Sequence, residues 1–290
     1  MARSFIKLLY LILYINLSAI NFSYADSHVD SCTITGGIYD KTQVIDNGYC
    51  ASAPSAYEII AYELYLCTSE PAAPTTTTVM DLSNCYKNWE LSSGATLSVQ
   101  QNATVDVPGT MTRPPNGTYT HGVMLIDNSF GITASLQFDE AVTDQDGNSG
   151  VYCGTKSGSG TYGTSTVPSG TSECGASEIN AGKFTELLTS FDSGSFSGTA
   201  EGDNLNGTSA SIKGYLIDTN SYLAENDADV DKLLGAATFA SPVNFTETTT
   251  TITMSFNVGE GMSMYNNGSN QIVFGSGPFQ AVISLSLIHI

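Results

Sequence analysis

Short runs of apolar and β-branched residues, separated by Gly, Ser, Thr and Asn, predict a chain built mainly from β-strands. Residues 57–67 (YEIIAYELYLC) are apolar on both faces, which predicts a buried central strand. An apolar run, a turn at 127–129 and a second, alternating run predict a β-hairpin over 119–138. Further strands are expected near 95–107, 195–201, 209–217, 250–258, 271–274 and 279–283.

Two segments have the apolar spacing of short helices. The first, 177–191, begins with Ser177, a favourable N-cap residue. The second, 225–235, places aspartates in its first turn and ends at Gly235. Their apolar positions are Phe184, Leu187, Leu188 and Phe191 in the first segment, and Val230, Leu233 and Leu234 in the second.

These patterns predict an all-β fold: a disulfide-stapled antiparallel β-sandwich of the jelly-roll type, with one or two short connecting helices. We expect residues 26–284 to form a single domain. The Gly/Ser/Thr-rich stretch 154–175 resembles a linker, but Cys153 and Cys174 bracket it, so we interpret it as a closed loop. A boundary near residue 192 is the alternative.

The two ends of the sequence are predicted not to belong to the folded domain. Residues 1–25 combine Arg3 and Lys7, an apolar stretch and a small-x-small site ending at Ala25, which predicts a cleaved signal peptide, with a retained membrane anchor as the alternative. No later segment is apolar enough to span a bilayer. Residues 285–290 (LSLIHI) resemble the translation of a sequencing adaptor, and we interpret them as foreign to the native protein. An apolar final strand that continues 278–284 (PFQAVIS) is the alternative.

The six cysteines predict disulfide bonds, because their number is even and the chain is expected to be exported. A zinc site is the rival interpretation, but it lacks a C-x-x-C motif and sufficient histidines. Each neighbouring couple brackets a loop rich in turn-forming residues, which favours local pairing. The predicted structural pairs are Cys32 with Cys50, Cys67 with Cys85, and Cys153 with Cys174.

The charge balance argues against nucleic acid as a partner. The chain has 28 Asp and Glu against 9 Lys and Arg, a formal net charge of −19, and no basic patch. Removal of the signal peptide would make it more negative by two charges. Such a surface repels phosphates and tolerates saline surroundings, where salt screens self-repulsion.

Catalytic patterns are weak. Outside the two ends of the chain, His121 is the only histidine, and thiol chemistry is excluded if all cysteines are paired. Glu58 and Glu63 are the best carboxylate candidates for a hydrolase, although the simpler interpretation places them at solvent-facing positions of their strand. No phosphate-binding loop or dinucleotide motif occurs, so no cofactor is predicted.

Two acidic clusters have the one-three-five spacing of calcium ligands. They are Asp144, Asp146 and Asn148, and Asp227, Asp229 and Asp231. Both lack the glycine and the glutamate that an EF-hand loop requires. A hairpin turn and a helix start explain them more simply, and calcium at a site of another type stays as the alternative.

Aromatic residues gather around the predicted Cys67–Cys85 bond, which encloses a Pro/Thr-rich loop. We interpret them as the candidate contact surface of the protein, while core or sheet-face positions are the simpler interpretation. They are Tyr62, Tyr65, Tyr86 and Trp89.

The sequence therefore predicts an exported, non-catalytic protein, located outside the cell, at its surface or in the periplasm. It would be a structural or adhesive protein, such as a filament or surface-layer component, that contacts a surface glycan, a protein or copies of itself. An extracellular carbohydrate-binding module and an extracellular hydrolase are the alternatives.

Overall fold

The computed structural model of the protein describes residues 31–100, 107–191, 194–202 and 210–287. The predicted signal peptide, part of the predicted strand over 95–107 and residues 288–290 lie outside these ranges. In the first half of the chain the strands are β1 (Ile34–Thr35), β2 (Ile38–Tyr39), β3 (Tyr49–Ser52), β4 (Ala56–Cys67), β5 (Cys85–Val99), β6 (Gly117–Asp127), β7 (Ser129–Thr133) and β8 (Ser135–Thr143).

The second half of the described chain continues this β-rich structure. Its strands are β9 (Ser149–Thr155), β10 (Gly158–Tyr162), β11 (Ser172–Gly175), β12 (Phe184–Leu188), β13 (Ser197–Gly202), β14 (Ala210–Ile217), β15 (Lys232–Phe245), β16 (Thr249–Asn257), β17 (Met262–Asn266), β18 (Ile272–Ser276) and β19 (Gln280–Leu287). Between β2 and β3, the described residues form one short α-helix, α1 (Lys41–Ile45). It begins after Asp40, whose side chain accepts a hydrogen bond from the backbone N–H of Thr42. The all-β class is thus confirmed.

The largest sheet has nine strands and is organised around β4. Strand β5 pairs with β4 from Tyr57 to Cys67, while β6 and then β7 follow its other edge. Strand β6 continues the sheet through β15, β14 and β13, and β7 continues it through β12 and β10. The central position predicted for 57–67 is confirmed.

Three smaller sheets complete the described fold. Their strand orders are β1-β2-β8-β9-β11, β18-β17-β3 and β16-β19. Most strand pairs are antiparallel, as predicted. Two pairs differ from this prediction, because β2 pairs with β8 and β10 pairs with β12 in parallel. The jelly-roll arrangement stays a prediction.

One large apolar core contains inward side chains from all four sheets. Among its fully buried members are Tyr57, Phe138, Phe256 and Phe274. The core includes residues from both sides of position 192, while the single-domain organisation stays a prediction.

The nearest-neighbour disulfide pairing is confirmed. Cys67 and Cys85 lie opposite each other on β4 and β5, and Cys153 lies opposite Cys174 on β9 and β11. The third bond joins Cys32 to Cys50 of β3. Each bond closes a local loop, as the sequence spacing indicates.

Both predicted helices are wrong. The first segment contains strand β12, in which Phe184 and Leu188 are buried while Leu187 is 40% exposed. In the second, Asp227–Asp229 forms only a 3₁₀ turn, and β15 then places Leu233 and Leu234 in two different apolar clusters. Pairing with neighbouring strands decides both segments, because tertiary contacts override weak helical propensity.

The predicted hairpin over 119–138 is also wrong, because β6 and β7 run in the same direction along β4. In place of a turn, Asn128 interrupts an otherwise continuous path. Its backbone C=O accepts a hydrogen bond from Leu188 N (2.8 Å), and its side-chain Nδ2 donates to Leu188 O (2.9 Å). The alternating inward face is confirmed: Ile132, Ala134, Leu136 and Phe138 are all buried.

Candidate functional site

The four aromatic residues of the predicted contact surface do not share one surface. Trp89 is 3% exposed, packs in the main core, and donates from Nε1 to the backbone O of Pro108 at 2.8 Å. Tyr65 is also buried, whereas Tyr62 and Tyr86 are half-buried. Trp89 is therefore a core residue, and its assignment to a contact surface is wrong.

A local irregularity of strand pairing explains the position of Trp89. It pairs with Leu64, but the next partners are Tyr65 and Lys87, so β5 contains an extra residue at this point. Such a bulge changes the face to which the following side chains point. Lys87 consequently lies over the ring of Tyr65 on the outer face of the sheet, 5.6 Å from its centroid.

The loop closed by Cys67–Cys85 folds over this outer face. Its Met80 is buried and joins a second apolar cluster with Tyr65, Val123 and Leu234. Thr75 O accepts a hydrogen bond from Leu223 N at 2.9 Å, which fastens the far part of the loop to another segment. The disulfide thus holds a loop that covers part of the sheet.

Beside this loop, a shallow depression of about 200 Å³ opens on the outer face. We call its lining the outer-face patch. It consists of Tyr62, Glu63, Glu90, Ser92, Leu125 and Lys232. A pairing shift in β4 between Ala61 and Glu63 brings neighbouring residues into the same depression.

Ion pairs hold the patch together. Lys87 Nζ donates to Glu63 Oε1 at 2.8 Å and to Glu90 Oε2 at 2.7 Å. The hydroxyl of Tyr65 donates to the other oxygen of Glu63 at 2.5 Å. Both carboxylates are thereby fixed in position around one lysine.

A second set of contacts involves Tyr62 and Lys232, which also line the depression. Lys232 Nζ lies 5.2 Å from the ring centroid of Tyr62, which is a cation–π distance. The Tyr62 hydroxyl donates to Asp127 Oδ2 at 3.1 Å. Lys232 also forms an ion pair with Asp231.

The protonation states of the patch suit binding better than proton transfer. Burial, and then the hydrogen bond to Glu63, raise the pKa of Tyr65 to about 12. Burial and the neighbouring Asp127 also raise the pKa of Tyr62. The hydrogen bonds to Glu63 and Glu90 raise the pKa of Lys87. At neutral pH the phenols therefore stay neutral and the lysine stays charged.

The structure separates the residues considered for a hydrolase. Glu58 pairs with Lys183 at 2.8 Å, while Glu63 pairs with Lys87. The two carboxylates are five positions apart on one strand, roughly 16 Å at about 3.3 Å per residue. Glycosidase carboxylates lie about 5–9.5 Å apart, so this pair does not fit that chemistry.

His121 lies in β6, directly opposite Cys67. Its Nδ1 is 2.8 Å from the hydroxyl of Thr120, and burial lowers its pKa. Four positions separate it along β6 from Leu125, which lies opposite Glu63. His121 therefore does not converge with the candidate carboxylates.

The first acidic cluster forms a turn. Asp144 is buried and accepts hydrogen bonds from the backbone N–H groups of Asp146 (2.9 Å), Asn148 (2.8 Å) and Cys174 (3.0 Å). The carboxylate thus closes the β8–β9 turn and ties it to β11. This arrangement agrees with the hairpin-turn interpretation.

The second acidic cluster is dispersed among internal contacts. Asp227 accepts from the backbone N (2.9 Å) and the hydroxyl (2.6 Å) of Thr164, and Asp231 pairs with Lys232. Among the described residues, no three His, Cys, Asp or Glu side chains form a metal-binding group.

Sequence reasoning located Tyr62 and Tyr65 but missed Lys87, Glu90, Leu125 and Lys232 as members or supports of the site. These residues come from three different strands. Irregular pairing along β4 and β5 decides which of them meet. Gly94, with a φ of 75°, lies in β5 between Glu90 and Ala95, where the pairing with β4 shifts, and a glycine inside a strand pattern is a sequence signal of such a bulge. In the described parts of the chain, no helix is long and apolar enough to cross a membrane.

Comparison of the chain with protein-family models, curated proteins and solved structures finds no match.

Proposed function

We propose that the protein is an exported structural or adhesive β-protein that acts by contact through the outer-face patch. The observation that carries this proposal is the preorganisation of the patch on the central strands of the largest sheet. Lys87 fixes Glu63 and Glu90, and the disulfide-closed loop packs beside them. A surface held in one conformation loses little entropy when a partner binds.

The distribution of charge indicates the kind of partner. All six lysines of the described chain pair with carboxylates, so the surface offers few free cations and many acceptors. The pairs include Lys41–Glu140, Lys87–Glu63, Lys156–Asp146, Lys183–Glu58, Lys213–Glu70 and Lys232–Asp231. A protein or glycan that donates hydrogen bonds fits this surface, and nucleic acid does not.

Export is part of the same proposal. Three disulfides and the absence of free cysteines fit an oxidising compartment. Self-assembly into a filament or surface layer is one form that the contact could take.

Carbohydrate binding is a second candidate, favoured by one observation. The depression of about 200 Å³ combines an aromatic ring, Tyr62, with the carboxylates of Glu63 and Glu90. Sugars bind proteins through such combinations of ring contacts and hydrogen-bond acceptors.

Substitution in the patch tests the proposal. We expect Tyr62→Ala and Glu90→Gln to weaken binding by about tenfold, the effect of losing about 1.4 kcal/mol. The measurement is binding of labelled protein to immobilised copies of itself, to extracellular matrix proteins and to a polysaccharide panel. Lys41→Ala and Glu140→Gln, which affect an exposed ion pair elsewhere, are the matched controls.

The probes separate the candidate functions. Patch-dependent binding to protein supports the structural or adhesive role, whereas patch-dependent binding to polysaccharide alone supports the carbohydrate-binding module. Equal binding by patch and control variants would contradict both. Substrate turnover that is lost on changing Glu58, Glu63 or His121 would establish the hydrolase instead.

A further inference from the structure

A buried glutamate lies where two sheets pack together. Glu186 is on the inward face of β12, between the buried side chains of Phe184 and Leu188, and is only 2% exposed. Its side chain reaches the end of β18 in the three-stranded sheet, where Ser276 N donates to Glu186 Oε1 at 3.2 Å. The hydroxyl of Ser276 donates to the same oxygen.

The packing around this carboxyl is tight. A Cβ atom added to Gly275 would lie 2.9 Å from Glu186 Oε2 and 3.0 Å from the hydroxyl oxygen of Ser263. Ser263 in turn donates to Ser276 O at 3.0 Å, which links β17 and β18 beside the glutamate. The carboxyl therefore contacts the three-stranded sheet directly, without space for a solvation shell.

The other groups that face Glu186 supply no positive charge. Tyr57 of β4 is fully buried nearby and donates to Gly277 O at 3.3 Å, and the negative charge of Glu186 adds to the burial that raises its pKa. Tyr265 of β17 contributes a second phenol beside Gly275. The strand partners Phe130 and Gly160 carry no titratable group.

Burial without a counter-charge disfavours the carboxylate form. It raises the pKa of Glu186 to about 7, although the two hydrogen bonds from Ser276 act in the opposite direction. The carboxyl consequently changes its charge in the neutral range, where an exposed glutamate is already fully ionised.

We propose that Glu186 is a proton-controlled contact between the nine-stranded and three-stranded sheets, which hold together when its carboxyl is neutral and loosen when it ionises. A buried carboxylate at this position faces two phenols and two serines, which cannot neutralise its charge. The energetic cost of ionisation is relieved when β17 and β18 move away and admit water. This inference is independent of the outer-face patch, which lies on the other face of the large sheet.

The direction of the pH effect follows from the two protonation states. In the loosened state Glu186 titrates near its ordinary value of about 4.3, whereas in the closed state it titrates near 7. Between these values the closed state binds more protons, so closure weakens as pH rises. The effect is complete above about pH 7 and is absent below about pH 4.

Hydrogen exchange of the complete protein tests the proposal. Between about pH 5 and pH 9, we expect opening of residues 262–276 to increase on the order of 100-fold, after correction for intrinsic exchange. In Glu186→Gln, which keeps the shape but cannot ionise, this increase should disappear. Glu140→Gln, which removes an exposed carboxyl, should behave as the unsubstituted protein.

A second variant guards against failure of Glu186→Gln to fold. Ser276→Ala removes a hydrogen bond that favours the carboxylate, so the opening transition should move to higher pH. A pH-independent opening in the unsubstituted protein would overturn the proposal. So would an unchanged transition in Glu186→Gln, or a transition in Ser276→Ala that stays in place or moves to lower pH.

Discussion

At the scale of single residues, buried polar groups have specific tasks that their sequence context conceals. Asp144 appears in an acidic run typical of calcium loops, yet its carboxylate accepts N–H groups from its own turn and from β11. Asn88, by contrast, is fully buried at the β5 bulge, and its side-chain amide has no hydrogen-bond partner among the described residues. A buried water molecule is the usual partner of such a group.

A pair of glycines offers a test at this scale. A Cβ atom on Gly150 would lie 1.9 Å from the backbone O of Gly175, whereas one on Gly158 would meet nothing within 4 Å. We expect Gly150→Ala to destabilise the protein by about 3 kcal/mol, because β9 and β11 must separate. Gly158→Ala should change stability by less than about 0.5 kcal/mol.

Chemical denaturation at constant pH measures this difference. Equal unfolding midpoints for the two variants would show that the close approach of Gly150 and Gly175 does not limit the packing of these strands.

At the scale of elements, the Cys67–Cys85 bond restrains a long connection and also completes an apolar cluster. The loop contributes Met80 and Leu82 to the outer face of the sheet, where Tyr65 and Val123 would otherwise meet solvent. The bond therefore supports the patch indirectly, because it keeps the adjacent sheet surface covered.

Removal of this bond should release the loop. We expect the Cys67→Ser/Cys85→Ser double variant to lose about 3 kcal/mol, the chain-entropy estimate for a sequence separation of 18 residues. Limited proteolysis followed by mass spectrometry should show rapid cleavage within 68–84. The Cys153→Ser/Cys174→Ser variant, which opens a different loop, is the control and should leave 68–84 protected. Equal cleavage of that loop in both variants would contradict a local role.

At the scale of the whole molecule, the excess of carboxylates is the dominant electrostatic feature. The formal net charge is −19, and the described lysines are already paired with acidic side chains. Self-repulsion among the remaining carboxylates opposes the compact state, and salt screens it.

Salt should therefore stabilise the protein at neutral pH. Between about 20 mM and 500 mM sodium chloride, we expect Tm to rise by about 2–4 °C, which corresponds to about 1 kcal/mol. Calorimetry at about pH 4, where many carboxyls are protonated, is the control and should show a smaller increase. A constant or falling Tm at pH 7 would show that repulsion does not limit stability.

The sequence by itself determined the β class, the three disulfide pairs and the central strand, because these features depend on local information. A run that is apolar on both faces indicates that β4 is buried, and alternation of apolar residues over β8 indicates its inward face. Cysteines separated by short turn-rich loops have few other partners nearby. The absence of a basic patch is likewise visible from composition alone.

Only the tertiary structure decided the helices, the hairpin and the site. The apolar spacing of 184–191 fits both the helical and the strand period. Pairing with the neighbouring strands β7 and β10 stabilises the extended conformation. In the sequence, Asn128 is compatible with a turn or with an extended segment. Its hydrogen bonds to Leu188 hold it in the extended path between β6 and β7. Two bulges moved Trp89 into the core and brought Lys87 to Glu63 and Glu90, because a shift of one residue changes the face that a side chain occupies.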